Sequence, residues 1–154
     1  MIAAVVVVCA LLLQVTLVNR LSLPADGAPD LVLLAVIGAA VVRGPAAGAV
    51  IGFCAGLVVD VMPPSAHVVG QYAFVLAVVG YLAGRGVGGV VTTVIVCVLV
   101  APLLAAAVSG LIGDPRVTVA SLTAQLPITA IYTLLIAPPM IWLATRGRQL
   151  GYAS

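Results

Sequence analysis

The residue types able to do chemistry are few in this chain, so their placement carries the information. Asp60 is the one ionisable side chain that falls inside a long apolar run, just ahead of Pro63-Pro64. A carboxylate at that depth is a functional-site hypothesis by default, because hydrocarbon does not solvate it. Three roles fit its position: ordering a loop or bonding a neighbouring helix end, contacting a partner, or handling a proton or ligand. His67 is the single histidine of the chain, and no Cys or carboxylate stands at ligand spacing from it, so no metal site is expected. Ser65, Ser109 and Ser121 have no histidine base other than that same residue, which leaves a hydrolytic triad without support. The three cysteines, Cys9, Cys54 and Cys97, sit in apolar runs without CxxC spacing and read as small packing residues. There is no phosphate-binding loop. No catalytic constellation, cofactor site or metal site is expected.

Glycine spacing is the stronger signal. Gly44, Gly48, Gly52 and Gly56 recur every four residues, and Asp60 continues the series. On a helix each step of four drifts by about 40°, so these positions trace a slowly winding ridge. In lipid, burying Leu against Leu gains little, and small residues that let two backbones approach supply the dispersion contacts instead. The ridge is therefore expected to be a packing seam. Gly80, Gly84 and Gly88 repeat the pattern more briefly, the last two near Arg85, Gly86 and Gly89 at an expected helix end.

These residues need apolar helices to position them, and composition supplies little else. The chain of 154 residues is 64% hydrophobic and 6% charged, against about 25% charged in soluble domains. It cannot solvate its own exterior in water. A net charge of +2, without a basic cluster beyond Arg146 and Arg148, gives no nucleic-acid footprint. A spanning helix takes roughly 17–25 apolar residues. Breaks at charges, Pro and Gly divide the chain into six candidate spans at about 2–18, 31–42, 45–62, 71–84, 90–112 and 126–144, with five as the alternative. The expected fold is an all-α integral membrane protein, a compact bundle of about six transmembrane helices in a single polytopic domain, 1–154. The first apolar run lacks a basic lead and a clear cleavage site, so it reads as a retained helix rather than a signal peptide.

Six spans place both termini on one side. Arg43, Arg85, Arg146 and Arg148 then share that side, while Arg20 and Arg116 lie opposite, so both termini are expected to be cytoplasmic. Asp26, Asp30, Asp60 and Asp114 all fall on the outer side, and Trp142 fits an interfacial anchor. Pro102 and Pro138-Pro139 should bend the fifth and sixth helices. Gln125, Thr129 and Thr133 form a weakly polar stripe on the sixth that either faces protein or bonds back to its own carbonyls.

Several of these features together resemble the MreD family of rod shape-determining membrane proteins. They are Pro29-Asp30 before an apolar run, Arg43-Gly44-Pro45 at a turn, the Gly48, Gly52, Gly56 and Asp60 series ahead of Pro63-Pro64, and Gly80-Tyr81-Leu82-Ala83-Gly84. The resemblance implies a non-enzymatic scaffold of the bacterial cell-elongation machinery in the cytoplasmic (inner) membrane. It implies association with an MreC-like single-span partner, and with a group that includes MreB, the RodA glycosyltransferase and its penicillin-binding transpeptidase, in support of peptidoglycan synthesis. It also implies a fold similar to the substrate-binding subunits of energy-coupling-factor transporters, with Gly44, Gly48, Gly52, Gly56, Asp60, Gly80 and Gly84 as helix-packing or partner-binding positions. The alternative is that the chain is itself such a vitamin-binding subunit. A binding subunit lines its cavity with several polar or aromatic groups, and the spans offer few beyond Asp60, Gln14, Gln71, Tyr72, Tyr81 and the Gln125 stripe.

Overall fold

A computed structural model describes residues 2–16, 30–62, 70–86, 88–113, 127–139 and 142. Every regular element among them is an α-helix: α1 Ile2–Thr16, α2 Leu31–Arg43, α3 Pro45–Val61, α4 Gln71–Arg85, α5 Val90–Ile112 and α6 Pro127–Pro139. Helices α2 to α5 follow the breaks read from the sequence to within a residue at each end. The expected bounds of α1 and α6 run on into residues outside those described. Arg43-Gly44-Pro45 is a turn of one residue. Gly44 closes α2 and opens α3 at φ 91°, a backbone conformation that side chains disfavour, and Pro45 takes the first helical position, where no N–H is required.

Hydrogen bonds between helices fix which ends lie together. Gln14 on α1 meets Leu31 at the start of α2, Asp60 at the end of α3 meets Gly70 and Tyr72 at the start of α4, and Gln71 meets Ser109 near the end of α5. The hydroxyl of Tyr72 also donates to Asp30 at the start of α2. The C-terminal ends of α1, α3 and α5 therefore gather with the N-terminal ends of α2 and α4, which makes successive helices antiparallel. Asp30 and Asp60 lie at this polar end, and Arg43 and Arg85 at the other.

Helix α2 is the axis of the bundle. It touches α1, α3, α4 and α5, and Val32 through Ile37, Ala39 and Ala40 are all buried. A helix that is apolar on every side is stable only when surrounded. Helix α5 is the opposite case. It is the one helix among the described residues that is long and apolar enough, by length and composition, to cross a membrane. Its outer side chains stay uncovered, with Val91 68% and Leu111 88% exposed. Helices α2, α3 and α6 are shorter apolar helices. Val50, Phe53, Leu57, Val58 and Val61 form an uncovered apolar face on α3. Contiguous apolar surface on this scale is foreign to a monomer in water. Pro102 lies within α5, and Pro138 and Pro139 stand in the last turn described for α6.

The α3–α4 contact is the most extensive of any helix pair, and the glycine ridge builds it. A Cβ placed on Gly52 would lie 2.6 Å from the carbonyl carbon of Leu76 and closer still to its oxygen. On Gly56 it would meet the Cα of Ala73 at 2.5 Å, and on Gly48 the carbonyl oxygen of Gly80. Seen from α4, Gly80 meets Gly48, and Gly84 meets Gly44 and Pro45. Four residues forward on α3 are matched by about four back along α4, so the ridge runs the length of both helices as an antiparallel seam. Val36 and Ala40 of α2 close over its middle, next to Gly80 and Gly48. Of the three cysteines expected as packing residues, Cys97 is buried in the core, while Cys9 and Cys54 are exposed, because their helix positions point away from the seam and the axis.

Because the atoms that would collide are backbone, the seam has no flexible side chain to move aside. Gly52→Ala is expected to lower stability by about 1–3 kcal/mol or more, as overpacking does. Gly110→Ala meets nothing within 4 Å and is expected to be neutral or to gain up to about 1 kcal/mol from helix propensity. Thermal unfolding of both variants in detergent checks the pair of signs.

Candidate functional site

The first four N–H groups of a helix have no partner within it, and in hydrocarbon no water replaces one. At the start of α4 the residue in the capping position is Gly70, which has no side chain to offer. Asp60 supplies the acceptor from the end of α3. Its Oδ2 accepts from the backbone N–H of Gly70 at 2.9 Å and of Ala73 at 3.0 Å, and its Oδ1 from that of Tyr72 at 3.3 Å. The side chain is buried at 2% exposure. A carboxylate bonded to several N–H groups at a helix N-terminus is held by charge-assisted bonds and by the helix dipole together. Of the roles open to Asp60, the geometry describes a bond to a neighbouring helix end.

The start of α2 is capped by its neighbours in the same way. Asp30 Oδ1 accepts from the N–H of Leu33 at 2.8 Å, Gln14 Oε1 on α1 from that of Leu31 at 2.9 Å, and Thr133 Oγ1 on α6 from that of Asp30 at 3.2 Å. Burial pushes the Asp30 carboxyl above the ordinary carboxylate range, opposed by the hydrogen bonds from the Tyr72 hydroxyl and the Leu33 N–H. Gln71 extends the network to α5, donating to Ser109 Oγ and, at 3.2 Å, to the carbonyl of Ala105. Five helices besides α2 are thereby tied together at one end. Among the described residues no buried side-chain nitrogen or oxygen lacks a hydrogen-bond partner, so the network is closed on itself.

The structure brings the site residues read from the sequence into one continuous line. Gly44, Gly48, Gly52 and Gly56 on the α3 side face Gly84, Gly80, Leu76 and Ala73 on the α4 side, and Asp60 closes the polar end. Gly88 lies beyond α4 and takes no part in the seam. Thr133 does both things expected of its stripe: its hydroxyl bonds back to the carbonyl of Thr129 at 2.7 Å, and it is buried against α2. Gln125, His67, Ser65, Ser121, Asp26, Asp114, Arg20, Arg116, Arg146 and Arg148 lie outside the described residues, whereas Trp142 is exposed.

An acid that caps the next helix from the far end of a glycine ridge is an internal device for fastening a helical hairpin. The family model of the rod shape-determining protein MreD matches residues 1–146. The chain belongs to the MreD family. No curated protein and no solved structure matches it. MreD is a shape-determining membrane protein, which accords with a bundle whose outer faces are apolar and which buries Asp60, Gln71, Thr93, Ser109 and Thr133. Membership places the chain in rod shape determination, and nothing in its described residues shows catalytic activity.

Two contributors to this MreD-family site escaped the sequence reading. Ala73 serves as the small residue opposite Gly56, and an Ala in an Ala-rich chain carries no signal. Asp30 as the cap of α2 was readable, since an Asp directly before an apolar run is a helix-start signature. Asp60→Ala removes three backbone contacts at once and is expected to cost about 1–3 kcal/mol. Asp60→Asn, which keeps an acceptor oxygen, should cost less. Hydrogen exchange at Gly70, Tyr72 and Ala73 reads the effect directly: all three amides should exchange faster in Asp60→Ala.

Proposed function

We propose that this chain is a non-enzymatic membrane scaffold of the cell-elongation machinery, a single polytopic domain of six spans with both termini cytoplasmic. On this reading it holds an MreC-like single-span protein in the inner membrane. Through that partner it supports peptidoglycan synthesis alongside MreB, RodA and the penicillin-binding transpeptidase. A bundle resembling the substrate-binding subunits of energy-coupling-factor transporters belongs to the same proposal.

One observation carries the reading: the polar groups that the helices hold are spent on one another. Asp60, Asp30, Gln14, Gln71 and Thr133 each bond a helix end or a neighbouring helix. A solute-binding subunit keeps such groups turned into a cavity, whereas a scaffold needs a rigid body with apolar outer faces. The alternation of helix direction and, among the described residues, the separation of Asp30 and Asp60 from Arg43 and Arg85 support the six-span arrangement, with the Arg43 and Arg85 end cytoplasmic.

Extraction of the native membrane in mild detergent, followed by affinity capture and mass spectrometry of proteins and small molecules, tests the proposal. A stoichiometric single-span MreC-like protein is the expected result. Recovery of an ATPase pair with a retained vitamin, and no such partner, would contradict it.

A further inference from the structure

Arg43 and Arg85 end α2 and α4 on the same side of the bundle, where Gly84 lies against the backbone of Gly44 and Pro45. Each arginine is the chain neighbour of a glycine in that contact, so each Cα stands about 3.8 Å from it. Two arginine side chains so placed reach a shared atom with ease. Both are exposed. Arg85 Nη1 donates to the hydroxyl of Tyr81 one turn earlier, at 3.4 Å, and that tyrosine is itself exposed. The two acids among the described residues, Asp30 and Asp60, are at the opposite end, so neither guanidinium has a carboxylate partner among those residues. At the two helix ends the carbonyl of Ala40 is already bonded by the N–H of Gly44, and those of Leu82 and Ala83 by the N–H of Gly86.

Two like charges brought together by a backbone contact, without a counter-ion among the described residues, suit an anion from outside. The surroundings select its kind. Exposed Phe74 and Tyr81 line the same flank of α4, and exposed Val90 and Val91 open α5 at this same end. A charged head beside an apolar wall suits an amphiphile better than a free ion, and arginines between helix ends at the cytoplasmic face suit lipid phosphate. We infer that Arg43, Arg85 and the Tyr81 hydroxyl form a headgroup site for an anionic phospholipid. Its phosphate bridges the two guanidiniums, and an acyl chain lies along the Phe74–Tyr81 flank. The site rests on the proposal that α2 and α4 both cross the bilayer.

The test is native mass spectrometry of the full chain in micelles doped equally with phosphatidylglycerol and phosphatidylcholine of identical acyl chains. Wild type should retain the anionic lipid with roughly tenfold preference, the scale expected of two arginines at an interface. The double variant Arg43→Gln/Arg85→Gln should retain both lipids equally, and Arg43→Lys/Arg85→Lys should recover most of the preference. Unchanged thermal unfolding of the variants shows that the bundle is intact. Equal retention by wild type, a preference that survives in the Gln variant, or its loss to added inorganic phosphate would each overturn the site. Resistance to alkaline extraction is read in parallel. A chain released by alkali overturns the spanning proposal, whereas an inserted chain without lipid preference overturns the lipid site alone.

Discussion

Helices α3 and α4 meet backbone to backbone, and the rest of the bundle is arranged around that contact. In water, a hairpin of two apolar helices is held by burying side chains. In a lipid environment the tails offer equivalent contacts, so a helix pair gains only from what lipid cannot match. The close fit of two peptide backbones along Gly48, Gly52 and Gly56 is such a gain. It also bears on the position of α2, whose Ala40 lies against Gly48 and whose Val36 lies against Gly80. A side chain at Gly48, Gly52 or Gly56 would collide with the backbone of α4 and push the two helices apart.

The second requirement of a low-dielectric surrounding is that each helix end be satisfied, and the bundle meets it by lending side chains between helices. Asp60 crosses from α3 to cap α4, while Gln14 and Thr133 cross from α1 and α6 to cap α2. Each cap is therefore also a tertiary contact. Asp60 stands where the glycine ridge would place its next member, so the register that brings the glycines into contact also brings the carboxylate to the amides of α4. Seam and cap support one another, which is the consistency across levels expected of a well-specified fold.

Helix limits and the seam were legible because their causes are local. Charges, prolines and the Arg43-Gly44-Pro45 turn mark helix ends, and a four-residue glycine period can be counted without knowing what it faces. The partner of the seam was not legible, since half of the opposing face is Leu76 and Ala73 rather than glycine. Asp60 was visible as an anomaly, but its role depends on amides of Gly70, Tyr72 and Ala73, which only the folded hairpin brings to it. The exposed Cys9 and Cys54 were misread for a related reason: apolar runs in a membrane protein show little amphipathic period, so composition does not tell the inner face from the outer. Membership of the MreD family was legible from the turn, the ridge and the acid taken together.

The proposed scaffold role requires a bundle that holds its own shape in lipid, and a backbone seam with interlocked caps suits that requirement. The most direct measurement is magic-angle-spinning NMR of the glycine-labelled protein in lipid bilayers, with Gly80→Ala to assign the interhelical signals. Cross-peaks linking Gly48 with Gly80 and Gly44 with Gly84, the first lost in the variant, are the result the seam requires. Contacts confined to glycines within the same helix would show that α3 and α4 do not meet through their backbones, and would contradict the arrangement on which the bundle depends.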